Sequence, residues 1–492
     1  MKFLSETRTR RVACALFAFV LAVIAAFVIT RGAAESSPNL LSDGDLMKRS
    51  LVFPALFGAG VLALLSLGTH AAAQPVPAAA ESAVPNLVKP FMAQVVGLQW
   101  LNPLQRRDYP TEWQLLWTLG LVQPNKDDDM VKLKPEKFSK VQAIGIIASG
   151  NNGRESFKGY HHKYVDALTE LFHDIYFSSP TYFYNAHSLT DKKTWRELAG
   201  IHVEYALPEG RLNPIEAATY TRERIIDTFD IGNPNFPKAW NRDTPPDVRV
   251  TMGGPNAGFT SLAAGLDYLQ AHPNETVWVM NWDAPSFPPK DEQINENMVL
   301  LVLAGPDYST ERAPLAWIGY PATQKVADFE AQKGQPPRQI QAWKAVVETA
   351  ARNVGKQDSD IGYVIHDANN THSASSERIG ALAQTLTTEL VDFDFTKQTF
   401  NTPALLGEMG AGTALTNVAL GIAYANHIGK NVLVAGTTNA EQPTAVVVSP
   451  PAKVRPIDLN APWFRARGGG SAFLPWWGLR HDAKPGSQGY SR

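Results

Sequence analysis

Residues 248–285 read VRVTMGGPNAGFTSLAAGLDYLQAHPNETVWVMNWDAP, and their pattern decides the fold. Val248, Val250 and Met252 alternate, as in a half-buried strand, and run into Gly253-Gly254-Pro255, a turn no regular element tolerates. Phe259, Leu262, Ala263, Leu266 and Leu269 then recur at helical spacing until His272-Pro273 stops the helix. Thr276–Met280 is an apolar, β-prone run that ends in polar Asn281 and Asp283. A second unit of the same shape spans Thr402–Ser449. There Gly407-Glu408-Met409-Gly410-Ala411-Gly412 leads into an apolar helix, a strand at Asn431–Ala435, the turn Gly436-Thr437-Thr438-Asn439 and a strand at Ala445–Val448. Two glycine-turn, helix, strand units in one chain predict a duplicated α/β core.

At 492 residues the chain can bury a large core, or two. Net charge is −2 with no sustained basic stripe, which argues against nucleic acid as a partner. Cys14 is the only cysteine and lies in an apolar N-terminal segment. The remainder therefore has no disulfide, no cysteine-based metal site and no thiol nucleophile.

Residues 12–30 are uncharged and long enough to cross a bilayer core of about 30 Å, with Arg8, Arg10 and Arg11 before them. A second apolar run, 51–69, has two readings. As the return half of a membrane hairpin it uses both segments (1–74) and leaves the large domain in the cytoplasm, at the bacterial inner membrane. Alternatively, Met47-Lys48-Arg49 ahead of an apolar stretch ending in Ala71-Ala72-Ala73 reads as a signal peptide, 47–74, which exports the domain to the periplasm. Residues 75–90 form an Ala/Pro linker.

Within the globular region, Lys126-Asp127-Asp128-Asp129 reads as a solvated turn rather than a cation site. Val141–Ala148 reads as a buried strand entering Ser149-Gly150-Asn151-Asn152-Gly153, a turn without the spacing or lysine of a phosphate loop. Tyr160–Phe177 is a predicted helix on which His161 and His162 point to different faces, so no metal role is expected. Ile215–Phe229 is another, opened by Asn213-Pro214. Strands at 298–305 and 316–318 follow, then a Gly/Pro-rich connection at 330–341 placed between an N-terminal half (91–330) and a C-terminal half (342–450). Helices at 342–353 and 375–387 flank the strand Ile361–Ile365, which delivers His366. The tail, 451–492, is irregular and aromatic; Trp463, Phe464, Trp476 and Trp477 are candidate partner-docking residues or pack on their own domain.

These two core units, with Gly362-Tyr363-Val364-Ile365-His366, resemble the thiolase and β-ketoacyl synthase superfamily. That resemblance implies a duplicated α/β/α/β/α core carrying a nucleophilic cysteine before a buried central helix, and two further polar groups, usually histidines, from the C-terminal half. Asn256-Ala257-Gly258-Phe259-Thr260-Ser261 is similar to the nucleophile turn, Ile365-His366-Asp367-Ala368-Asn369-Asn370-Thr371 to the first histidine loop, and Leu405-Leu406-Gly407-Glu408-Met409-Gly410-Ala411 to the second. The cysteine position falls on Gly258 or Phe259 and the second histidine position on Ala404; His366 alone survives. Acyl transfer needs a thiolate and oxyanion donors, so the site reads as a vestige with no cofactor. The whole-chain layout, a hydrophobic N-terminus, a Pro/Ala linker and a large soluble region, also resembles the type VI lipase adaptors. What that implies is a non-enzymatic chaperone that binds a phospholipase effector and helps load it onto the secretion spike protein. Members of the thiolase superfamily often pair through the strand beside the nucleophile turn, which implies a homodimer.

Two alternatives remain open. One is an ester-hydrolysing or acyl-transfer enzyme that uses His366 with Ser261, although no acidic residue obviously orients the histidine and no Gly-x-Ser-x-Gly elbow exists. The other is a periplasmic binding module. His187 and His202 have no evident sequence partners, His372 reads as a surface residue near a helix cap, and Asp283 reads as a strand-end turn residue that could line the pocket.

Overall fold

The computed structural model describes residues 90–103, 111–122, 156–173, 201–229, 231, 245–288, 294–309, 314–369, 371–390 and 393–454. The apolar segments 12–30 and 51–69, the linker up to residue 89, the 126–129 cluster, the 141–153 strand and turn, His187 and the aromatic tail from 455 lie outside them. Among the described residues no helix is long and apolar enough to cross a membrane.

Two sets of strands repeat one plan. The first comprises β1 (Ala93–Leu101), β2 (His202–Pro208), β3 (Asp247–Gly253), β4 (Thr276–Asp283) and β5 (Asn297–Ala304), in spatial order β3-β2-β4-β5-β1. The second comprises β6 (Ala316–Ile318), β8 (Ile361–His366), β9 (Thr399–Asn401), β10 (Asn431–Gly436) and β11 (Thr444–Ser449), in order β9-β8-β10-β11-β6, with the short β7 (Ala322–Thr323) on β11. Each set therefore runs third, second, fourth, fifth, first. The directions match too: β2 is parallel to β3 and β4, β8 to β9 and β10, and the fourth–fifth and fifth–first pairs are antiparallel in both sets. Antiparallel pairing of β1 with β6 joins the sets. By strand order the second set begins at β6.

The helices fill three layers. α2 (Phe157–Phe172) and α3 (Pro214–Thr228) cover the outer face of the first set, after the short α1 (Thr111–Thr118). α4 (Ala257–Ala271) lies between the sets; α5 (Arg338–Arg352) and α6 (His372–Glu389) cover the outer face of the second. α7 (Thr402–Leu406) is a single turn, and α8 (Thr413–Ile428) joins α4 in the centre. Strand alternation builds these layers: Val277 and Val279 face the central cluster, while Trp278, Met280 and Trp282 face the outer one. The middle strands are buried on both faces, which is why 298–304 reads as an unbroken apolar run.

Local chemistry sets the ends. Asn213 accepts from the amides of Ile215 (3.0 Å) and Glu216 (3.3 Å), with Pro214 in the first turn of α3. α8 stops at Gly429 in a left-handed conformation. α8 is buried all round from Thr413 to His427, so its small residues are a packing requirement. Gly421 is the ninth residue of α8 and Gly265 the ninth of α4. A Cβ on Gly421 would stand 3.2 Å from Val434, and one on Gly265 2.8 Å from Val279. The same close helix-to-strand approach thus occurs at the same position of both central helices.

Candidate functional site

The N-termini of α4 and α8 meet in the central layer, and the loops after β4, β8 and β10 close around them. Gly258, on the first turn of α4, is the point of closest approach. A Cβ there would lie 3.0 Å from Ala414 Cβ, 3.0 Å from Leu415 Cγ and 3.3 Å from the Leu415 amide nitrogen. Phe259 is buried in the central core, and its ring fills the space beside Gly436, whose added Cβ would stand 2.9 Å from Phe259 Cε2. Of the two positions matched to a nucleophile, one is a glycine at which any side chain would press on Ala414 and Leu415, and the other holds a packed ring.

His366 ends β8, almost fully buried. Its Nδ1 accepts the Ala368 amide at 3.4 Å, and its ring stacks on Phe395. Burial pushes its pKa down to about 4, so the ring is neutral at pH 7. Ser261 is completely buried on α4, and among the described residues its Oγ makes no hydrogen bond, to His366 or to any other group. The structure does not bring the two together as a base and nucleophile. Ala404 is exposed on α7.

Sequence reasoning missed the residue that does face the site from the second loop. Glu408 is half-buried and pairs with Arg378 of α6 at 3.4 Å. Burial raises its pKa; Arg378 opposes that and the nearby Asp367 charge adds to it. Asp367 itself is a buried pin. Its Oδ1 accepts from the Thr437 amide (2.6 Å) and hydroxyl (2.8 Å), and its Oδ2 from the Thr438 hydroxyl (2.7 Å). It therefore locks the loop after β8 to the turn after β10.

A polar seam runs opposite. Asn281 donates to Gly412 O (2.7 Å), Asn295 to Glu408 O (3.1 Å), and Asn297 accepts from Thr416 (2.7 Å). Asp283 accepts from the amides of Ala411 (2.9 Å) and Ala284 (2.7 Å), with Arg211 at 3.7 Å. Burial raises Asp283 to a pKa of about 6 against these hydrogen bonds. Gly410, at φ 53°, is the residue that lets the carboxylate in, since a Cβ there would collide with Asp283. Asp283 is thus more than a turn residue: it ties the first set of strands to the glycine loop of the second. The signal was present in the polar residues that end β4, but the partners that tie them to the second set, Gly412 and Ala411, lie more than a hundred residues away.

Three further histidines pack. His161 turns inward to the Tyr205 hydroxyl (2.9 Å), with burial lowering its pKa to about 3, while His162 stacks on Tyr220. His202 has partners after all: Glu204 at 2.8 Å, Asp247 at 3.3 Å, and Tyr268 stacked on its face. His372 opens α6. Among the described residues no group of three or more His, Cys, Asp or Glu could hold a metal ion. Trp463, Phe464, Trp476 and Trp477 lie outside the described residues.

No curated protein matches the chain. Among solved structures it is similar to the oxazolomycin ketosynthase domain OzmH KS8 of Streptomyces albus JA3453, at 12% identity and a TM-score of 0.43, covering 77% of this chain and 100% of that one. It is similar at 13% identity and a TM-score of 0.43 to the ishigamide ketosynthase/chain length factor, covering 73% and 99%. A ketosynthase from module 1 of the Bacillus amyloliquefaciens FZB42 bacillaene synthase matches at 9% identity and a TM-score of 0.43, covering 74% and 77%. The duplicated fold rests on strand order and direction, not on these likenesses. Residues 315–450, which run from the start of β6 to the end of β11, match the family described as type VI lipase adapter protein Tla3, C-terminal, so the expected resemblance to the type VI lipase adaptors is met over the second set of strands.

Proposed function

We propose that this chain is a non-enzymatic adaptor that holds a lipase effector and helps load it onto the type VI secretion spike. The observation that carries this reading is the match of residues 315–450 to the lipase adapter family. The site geometry supports it. Claisen-type acyl transfer needs a nucleophile at the head of the central helix, and Gly258 and Phe259 offer none. Among the described residues the neutral, buried His366 makes no hydrogen bond to a hydroxyl or thiol that it could activate. Asp367 and the Asn281–Asp283 seam hold the shape of the frame. The N-terminal apolar segments would tether the domain at the inner membrane, facing the cytoplasm as a hairpin or the periplasm if 47–74 is cleaved.

Co-purification of the full-length chain with the lipase effector and the spike protein tests the proposal. Retention of the lipase supports it, and loss of both partners at micromolar concentration sinks it. An esterase reading makes the opposite prediction: acyl-ester hydrolysis present in wild type and absent in His366→Ala. Equal background in both variants removes that reading. N-terminal sequencing of the mature protein distinguishes the two topologies, and light scattering reports whether a homodimer forms.

A further inference from the structure

We propose that Glu296 is a proton-operated latch: with its proton it seats the turn at 284–288 against α2 and, through Asn295, the glycine loop 407–412, and without it both loosen. The inference stands apart from the adaptor reading. Glu296 lies just ahead of β5 and is 3% exposed. Its Oε1 accepts from the Tyr160 hydroxyl of α2 at 2.8 Å. The side chains around that phenol are aromatic. The Phe287 ring stands 5.4 Å from those of Tyr160 and Phe157, and Tyr164 stands 5.4 Å from Tyr160. Arg211 reaches the same turn but binds Ala284 O (3.1 Å), Asp283 (3.7 Å) and the face of Phe157 (3.6 Å).

Asn295, the preceding residue, couples this carboxyl to the candidate site. Its Nδ2 donates to Ser286 Oγ (2.7 Å) and to Glu408 O (3.1 Å). Gly407 closes on the same side chain, since a Cβ there would stand 3.3 Å from Asn295 Cβ. One amide side chain thus holds the 284–288 turn and the glycine loop together, one residue from a buried acid.

A carboxyl in such a layer keeps its proton unless a cation pairs with it. Lys163 of α2 acts on Glu296 as a charge at a distance and forms no ion pair with it. Asp283 of β4 turns instead to the amides of Ala411 and Ala284. Residues 284–288 carry no charged side chain, and Lys290, Asp291 and Glu292 of the same connection lie outside the described residues. Burial therefore raises Glu296 from 4.5 to about 7, and the Tyr160 and Tyr164 phenols and Lys163 oppose that only in part. An opened turn admits water to the carboxyl and returns it to its ordinary value. Opening is then linked to the loss of one proton: it is least favoured below about pH 4.5, grows easier as pH rises, and levels off above about pH 7. Those two values put the rise in the opening constant on the order of 50-fold between pH 5 and pH 8.

The test is hydrogen exchange of the full-length chain across this pH range, read by mass spectrometry on peptides spanning 284–288 and 407–412 and corrected for the intrinsic pH dependence of exchange. The reporters are the Phe287 amide, bonded to Ala284 O at 3.1 Å, and the Gly412 amide, bonded to Met409 O at 3.0 Å. Protection at both should fall on the order of 50-fold and then level off, while peptides from α6 show no such change. Glu296→Gln should hold protection near its acid level and remove most of the pH dependence; the remainder belongs to Asp283. Tyr160→Phe deletes a hydrogen bond that favours the ionised form, so it should move the plateau to higher pH, and it serves where Glu296→Gln fails to fold. Asn295→Ala should confine the pH response to 284–288. A profile shared by wild type and Glu296→Gln, a plateau unmoved by Tyr160→Phe, a response at 407–412 that survives Asn295→Ala, or an equal loss across α6 overturns the proposal.

Discussion

Restoring a sulfur at the head of the central helix is the sharpest test of the site. In Gly258→Cys the new Cβ would lie 3.0 Å from Ala414 Cβ and from Leu415 Cγ, and 3.3 Å from a backbone nitrogen that cannot move without α8. Carbon pairs prefer about 3.5–4.0 Å, so two contacts are compressed by at least half an ångström before Sγ is placed. Overpacking of this kind costs about 1–3 kcal/mol. Replacing a helical glycine returns roughly 0.5–1 kcal/mol, so the Cβ alone leaves a small net cost. Sγ must then enter a layer whose neighbours Phe259, Ala414 and Leu415 are already buried, which brings the expected loss to about 2 kcal/mol. For a protein of this size that lowers the melting temperature by about 2 °C. The assay compares wild type, Gly258→Ala and Gly258→Cys in a Cys14→Ser background, by thermal unfolding and by reaction of the native thiol with iodoacetamide and with an acyl thioester. The expected order of stability is wild type, Ala, Cys, with a thiol silent until unfolding. A Gly258→Cys protein as stable as wild type and acylated in its native state would refute the steric account, because the position would then be an empty nucleophile seat.

Three further outcomes follow from the buried polar groups. Asp367→Ala removes the acceptor of three hydrogen bonds and strands the Thr437 amide, so urea unfolding should show a loss of roughly 2–4 kcal/mol, with Asp367→Asn losing less. Burial raises Asp283 from 3.8 to about 6 and Glu296, which accepts from the Tyr160 hydroxyl at 2.8 Å, from 4.5 to about 7. Folded values above unfolded ones mean that this stability is fully present below about pH 4 and is lost as pH rises through 6 and 7. Melting temperatures should therefore fall between pH 5 and pH 8 in wild type, and Glu296→Gln should flatten the curve by an amount on the order of 3 kcal/mol; a curve unchanged by that substitution contradicts it. Ser261→Ala deletes a buried hydroxyl that has no partner, so stability should stay within about 1 kcal/mol or rise, and ester hydrolysis should not change.

Much of the fold was legible because its period is local. The strand, turn, helix, strand unit at 248–285 appears as β3, α4 and β4 within a residue or two, and its counterpart as the Gly410–Gly412 turn, α8, β10 and β11. β1 and β2 were not legible as strands. Each is buried on both faces, and β2 carries His202 and Glu204, whose burial is offset by their pairing with each other at 2.8 Å and by Asp247 of β3 at 3.3 Å from His202. A Gly/Pro-rich loop such as 330–341 is a local signal, whereas membership of β6 in the second set is a matter of pairing that no local pattern carries.

By itself the chemistry of the sequence determined that no thiol stands outside the N-terminal segment, and that two glycine-turn helices must be packed on apolar strands. Residue type and periodicity suffice for both. Only the tertiary structure decided why Gly258 is glycine, since the cause is Ala414 and Leu415 on another helix. It also decided that Ser261 and His366 do not pair, that Ala404 faces outward while Glu408 faces Arg378 and Asp367, and that Asp283 reaches Ala411 across the two sets of strands. Those are facts of distance between residues far apart in the chain, and no local pattern encodes a distance.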